Sequence, residues 1–387
     1  MATLSEVLDT HRVIVTVGSG GVGKTTTAAA LALHAAQQGR RVLCMTIDPA
    51  RRLANSLGLD SMTADEQVVQ PRLFVENGLE PKGELFAMML DARQTFDELV
   101  TRTASSPEIA EKILTNKIYQ QVAGGLAGTQ EYMAMEKLHA VRSDSRYDVI
   151  ILDTPPTSNA LDFLDAPERM VAAIDSPAMR WFVGAFKGAG KLSFGLFGKG
   201  ASLVFKALSK FTGAGFLEEV AEFVAGLNDL FGGFKERAEE VAGALRSEEV
   251  AFVLVTSPAP MAIDEAIFFS TKLGEAQMRR SATVVNGMHT LLREPSISRA
   301  EQIKTMGTHD SGVNAEALVD ATNTALQDER LRAVADRIES DRLRNKLGGD
   351  SIFVEVPRLE QDVHDLGGLS IIAKHLVAED TTEIQNP

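Results

Sequence analysis

Arg12-Val13-Ile14-Val15-Thr16-Val17-Gly18-Ser19-Gly20-Gly21-Val22-Gly23-Lys24-Thr25-Thr26 is the stretch whose reading decides the fold. Its β-branched run reads as a buried strand that stops at glycine, and from Thr26 to Gln38 alanine and leucine recur at helical spacing. Between strand and helix, Gly18 to Thr25 spell G-x-x-x-x-G-K-[ST], in the context that a phosphate-binding loop requires. Glycines let main-chain amides wrap a β-phosphate with no Cβ in the way, and the helix that follows turns its positive end toward it. In such a loop Lys24 reaches the β- and γ-phosphates, and the Thr25 hydroxyl takes Mg²⁺. Gly18, Ser19, Gly20, Gly21, Val22, Gly23, Lys24, Thr25 and Thr26 are the expected nucleotide-binding residues, with ATP and Mg²⁺ as ligands.

Working outward, Arg41 to Ile47 reads as a second buried strand, ending at Asp48-Pro49. Apolar runs at 149–152, 250–255, 283–285 and 352–354 supply four more, separated by helical patterns. Such alternation predicts an α/β fold, a P-loop NTPase whose mostly parallel sheet is flanked by helices. Residues 91–144 and 175–247 break the alternation, read as helical, and are expected to form one inserted α-helical subdomain for a client or partner. The nucleotide-binding domain is then discontinuous, comprising 1–90, 145–174 and 248–376. Glu316 to Lys346 reads as a charged amphipathic helix, and 377–387 as a disordered acidic tail.

Asp48 and Asp153 each end a strand of the predicted sheet, which places both at its carboxyl edge beside the loop, where ligands bind in such folds. One acid near Mg²⁺ can orient its water shell, and another can position or deprotonate the attacking water. Tyr147-Asp148-Val149-Ile150-Ile151-Leu152-Asp153 has the Walker B pattern, so Asp153 is the expected Mg²⁺ ligand through water, beside Thr25.

Composition bounds what else the chain does. Hydrophobic residues at 44% and charged residues at 24% describe a globular protein. A formal net charge of -14 argues against nucleic acid as a general partner. Cys44 is the sole cysteine, which excludes an internal disulfide and any thiolate metal cluster within one chain. With no signal-like start and no long uncharged apolar run, a cytoplasmic location is expected, peripheral to a membrane at most.

The P-loop, Asp48-Pro49-Ala50, Asp153-Thr154-Pro155-Pro156-Thr157, the strand ending at Asn286, and Val356-Pro357 to Leu369 together resemble the ATPases of the arsenite-efflux pump and of guided entry of tail-anchored membrane proteins. The sequence is most similar to that family's single-copy bacterial branch. The resemblance implies that Asp48 polarises the attacking water, so that Asp48 and Lys24 are the catalytic pair. It also implies that Asn286 contacts adenine, that the loop from Pro357 to Asp362 closes over the base, and that the active form is a homodimer or a heterodimer with a related ATPase.

Departures from the family pattern matter. Relatives carry a lysine where this chain has Ser19, and that lysine reaches the partner's nucleotide; a cation so placed is worth about 10³-fold or more in rate. Slow or partner-dependent hydrolysis is therefore expected, with Arg51 and Arg52 as candidate substitutes. Ser158-Asn159-Ala160 replaces the family's usual Gly-His-Thr. The zinc-binding Cys-x-x-Cys that clamps related dimers is absent.

Asp175 to Glu218 contains no acid between its ends, carries Arg180, Lys187, Lys191, Lys199, Lys206 and Lys210, and opens a region holding Trp181 and ten of the 18 phenylalanines. Basic, apolar and glycine-rich, 175–247 is the expected contact for a hydrophobic or membrane-protein client, or for a membrane surface. Energising an arsenite pump is the alternative, opposed by the lack of thiolate ligands; an ATP-binding regulatory subunit with little hydrolysis is another.

Overall fold

The computed structural model describes residues 3–47, 51–122, 129–155, 236–306, 314–348 and 351–378, with single positions between 166 and 177. Eight strands form one sheet: β1 (Val13–Val17), β2 (Arg41–Thr46), β3 (Gln67–Val68), β4 (Glu84–Met89), β5 (Val149–Asp153), β6 (Val250–Thr256), β7 (Arg280–Met288) and β8 (Ile352–Pro357). Their spatial order is β3-β4-β2-β5-β1-β6-β7-β8. All neighbours are parallel except the short edge pair β3 and β4. The strands expected from the β-branched runs are all present. β4, with the sequence Glu-Leu-Phe-Ala-Met-Met, carries no such signal and is a strand because it pairs with β2 along its length.

Central strands are buried on both faces, which is why β1, β5 and β6 read as continuous apolar runs. Alternation still sorts the core. Val13, Val15 and Val17 join one hydrophobic cluster, and Ile14 joins the other, on the opposite face of the sheet.

One face is covered by α1 (Leu4–Thr10), α2 (Lys24–Gln37), α3 (Arg51–Ser56), α4 (Pro71–Glu76) and the last helix, α12 (Leu366–Val377). α2 is rich in alanine, and Ala28, Ala29, Ala30, Ala32 and Ala36 are inaccessible or nearly so. Small side chains bring it close to the sheet, chiefly over β2 and β5.

The other face carries α5 (Ala92–Thr103), α6 (Pro107–Thr115), α7 (Lys117–Val122) and α8 (Thr129–Arg142), all between β4 and β5, and α9 (Pro260–Glu275) after β6. The long helical reading of 91–144 is thus divided into short helices. Asp91 caps α5 on the amide of Gln94, and Ser106 with Pro107 starts α6. Residues 236–245 are helical too; 181–235, the bulk of the aromatic and basic stretch, lie outside the described residues. So does the tail from 379 onward.

A buried carboxylate ties these helices together. Glu136 on α8 is 1% exposed, and its Oε1 accepts from Arg102 Nη2 on α5 at 2.6 Å and from Arg237 Nε at 2.5 Å. Glu136→Ala would strand both arginines, which at 47% and 24% exposure can partly recover solvent. The expected cost is about 2 to 3 kcal/mol, below that of breaking a fully buried pair; urea unfolding measures it.

Beyond β7, α10 (Arg299–Met306) packs against α11 (Ala315–Leu347), the charged helix expected from Glu316 to Lys346. Asn314 caps it by accepting from the amides of Glu316 and Ala317.

Candidate nucleotide site

Parallel register brings the chemistry to one edge. Asp153, the last residue of β5, pairs with Thr16 of β1 on one side and Thr46 of β2 on the other. Its side chain is inaccessible, and Oδ2 accepts from the Thr25 hydroxyl at 2.6 Å and from the Thr46 hydroxyl at 3.1 Å. Thr25 and Asp153, expected to share a magnesium ion, are therefore in direct contact. Full burial, and after it the Asp153 charge, push the Cys44 thiol well above the usual thiol range. Behind the site, Thr154 donates to the Thr16 carbonyl at 2.7 Å and fixes the departure of the chain from β5.

The loop from Gly18 to Gly23 depends on glycine at its two ends. Gly18 has φ +152°, and a Cβ there would come within 1.9 Å of the Val255 carbonyl oxygen on β6. Gly23 has φ +98° and would press a Cβ to 2.2 Å from Asn286 Nδ2. Gly23 is also the N-cap of α2 and offers no side chain to its first amides, which leaves those donors directed at the loop. Val22 is buried, Gly20 and Gly21 are exposed at the tip, and Thr26 is half-buried on the first turn of α2.

Lys24 is 6% exposed and reaches back across the loop, donating from Nζ to the Ser19 carbonyl at 2.7 Å. Ser19 is itself buried, and its hydroxyl donates to the Glu265 carboxylate on α9. Glu265 was not legible as a site residue. Pro260 places the first turns of α9 at the carboxyl edge, but nothing in the local pattern says which residue meets a loop 246 positions earlier. Thr46 was missed for a related reason, since its approach to Asp153 exists only through the sheet order.

Asn286, near the end of β7, turns its amide to the loop and donates to the Val22 carbonyl at 3.0 Å. It therefore braces the P-loop against β7. Pro357 ends β8 beside Met288, one strand further out. Adjoining it, His289 follows β7 and holds Asp336 of α11 through Nδ1 at 2.7 Å, while Arg358 Nη1 lies 3.4 Å from its Nε2. Asp48 falls outside the described residues, as do the side chains of Arg51 and Arg52.

The donor set fits Mg-ATP. Mg²⁺ keeps several waters and takes few protein ligands besides phosphate, which suits one hydroxyl and one carboxylate rather than a cage. Among the described residues no cluster of three or more His, Cys, Asp or Glu side chains could hold a metal alone. No described helix is long and apolar enough to cross a membrane.

The family model for anion-transporting ATPases matches residues 11–308. The chain is 30% identical over 291 residues to the ATPase get3 of Botryotinia fuckeliana, an alignment covering 73% of this chain and 75% of that protein. It is 34% identical over 177 residues to the ATPase GET3 of Phaeosphaeria nodorum, covering 44% and 51% of the two. With the ATPase get3 of Pyrenophora tritici-repentis it is 32% identical over 197 residues, or 47% and 55%. The chain thus spans about half the length of two of these curated relatives and three quarters of the other. The family match covers the phosphate loop, Asp153 and Asn286 alike: the chain belongs to the anion-transporting ATPase family.

Proposed function

We propose that the chain is an ATPase that binds Mg-ATP in the loop from Gly18 to Thr26 and works as a nucleotide-switched dimer to capture apolar, membrane-protein segments. The observation that carries this reading is the Thr25–Asp153 contact at the mouth of a loop closed by Lys24. Bound Mg²⁺ would neutralise charge on the terminal phosphates. Thr25 would hold it directly and Asp153 through water. Lys24 would meet the β- and γ-phosphates, and the amides at the start of α2 would surround the β-phosphate.

Asp48, beyond the end of β2, is the proposed group that orients and polarises the attacking water. Asn286 and Pro357 are proposed to flank adenine, with the Asn286 amide holding the loop meanwhile. Asp48→Asn should lower turnover by about 10²- to 10³-fold while ATP affinity stays within about threefold, as expected when a water-positioning base is lost. Single-turnover kinetics beside equilibrium binding measure the two; equal losses in both would assign Asp48 to binding instead.

The names of the matched relatives support ATP hydrolysis, and the family resemblance supports tail-anchored or other membrane-protein segments as clients. The proposed client contact is 175–247, and the proposed location is cytoplasmic. Energising an arsenite pump is not favoured, because Cys44 is fully buried and its thiol is held protonated. Turnover of the purified chain with and without Mg²⁺ tests the whole reading. Mg²⁺-dependent hydrolysis supports it, and tight ATP binding with no turnover would favour a regulatory subunit that depends on another ATPase.

A further inference from the structure

We infer that Glu265 is a positioning residue that sets the preference of this loop between triphosphate and diphosphate, an inference that rests on the nucleotide site proposed above. Two contacts define its place. Lys24 Nζ, which goes to the β- and γ-phosphates in such loops, stands 2.7 Å from the Ser19 carbonyl. The Ser19 hydroxyl donates to Glu265 Oε2. The carboxylate of α9 is thereby fixed one residue away from the point where a terminal phosphate meets Lys24.

Among the described residues no lysine, arginine or histidine forms an ion pair with Glu265. Its neighbours one turn away on α9, Met261 and Phe268, are apolar and exposed at 78% and 52%. Glu265 is exposed and its charge is partly screened, but a carboxylate tethered to Ser19 repels the longer, more highly charged phosphate chain of ATP more than that of ADP, since Coulomb energy falls with distance and with screening. The tether through Ser19 keeps the repulsion in place, whereas an untethered side chain on an exposed helix face would swing into solvent. The contact also holds the outer half of the loop to α9, so movement of α9 and the nucleotide state of the loop are mechanically joined.

Calorimetric binding of ADP and of a non-hydrolysable ATP analogue, both with Mg²⁺, tests the inference on the full chain. Glu265→Gln, which keeps a hydrogen-bonding group but removes the charge, should tighten the analogue about tenfold and leave ADP within about twofold. Ser19→Ala should shift the ratio the same way by a smaller factor. Added salt should raise the analogue-to-ADP affinity ratio of the unmodified chain relative to that of Glu265→Gln, because it screens a repulsion that only the unmodified chain has, a response that a purely structural contact would not give.

If the unmodified chain binds both nucleotides and Glu265→Gln moves them equally or not at all, the inference is overturned and the nucleotide site stands. Equal weakening of both nucleotides by Ser19→Ala, with Glu265→Gln silent, likewise reduces the contact to scaffolding. An unmodified chain that binds neither nucleotide overturns the site itself and this role with it.

Discussion

Lys24→Ala should reduce ATP turnover by about 10³-fold or more and weaken ATP binding, while the thermal unfolding midpoint moves little. The rate estimate follows from deleting a preorganised cation aimed at developing phosphate charge in a site shielded from water. Shielding is real here, because Lys24 is 6% exposed although it carries a full charge at the head of α2. Its hydrogen bond to the Ser19 carbonyl holds the ammonium across the loop, so binding needs no search among rotamers. Lys24→Arg should not rescue turnover, since a planar guanidinium cannot occupy the space of a compact ammonium between Ser19 and the loop amides. Radiolabelled phosphate release measures the rate, and retention of near-normal turnover in Lys24→Ala would remove the loop from the catalytic site.

Gly18→Ala should have the largest effect on stability, about 3 to 5 kcal/mol in denaturant unfolding, and should abolish nucleotide binding. Two costs combine. The backbone at φ +152° lies where side chains with a Cβ are strained, and the new Cβ would stand 1.9 Å from the Val255 carbonyl oxygen. That oxygen belongs to β6, a central strand buried on both faces and hydrogen-bonded on both edges, so it cannot retreat. Gly21→Ala is the control. Gly21 has φ +76° but no atom within 4 Å of the added Cβ, so only the left-handed strain of about 1 to 2 kcal/mol applies. Equal destabilisation by the two changes would show that loop conformation alone, rather than its fit against β6, sets the requirement for glycine.

How much was legible in advance can be traced residue by residue. Val13 to Val17, Val149 to Leu152 and Val250 to Val255 announce themselves because strands buried on both faces need apolar, β-branched residues throughout. Gly18 to Thr25 announces a phosphate loop because its glycines, Gly18 and Gly23 above all, stand where a Cβ does not fit, and a lysine and a threonine follow them into a helix. β4 stayed hidden because Leu85, Ala87 and Met88 suit a helix as well as a strand, and only the edge offered by β2 decides between them. Glu265, Thr46 and the Asn286 brace were hidden for a deeper reason. Each acts through a partner on another strand or helix, and local pattern carries no record of which elements become neighbours. The sequence placed Asn286 at the right edge of the sheet, yet the direction of its amide, toward the Val22 carbonyl, is a property of the assembled loop.

The Thr25 hydroxyl has one proton, and that proton is already directed to Asp153 Oδ2. Its oxygen lone pairs must then point elsewhere, toward the side from which a hard cation would approach. In the proposed site Asp153 would thus act as an alignment element, converting a freely rotating hydroxyl into a fixed electron-pair donor before any ion arrives. An ion received in that way would strengthen the acidity of the hydroxyl and shorten its bond to Asp153. Metal coordination at the head of α2 would then be felt at the tip of β5, where the chain leaves the sheet through Thr154 and Pro155. A single polarised O–H bond would carry the presence of the ion into the segment that leads away from the nucleotide.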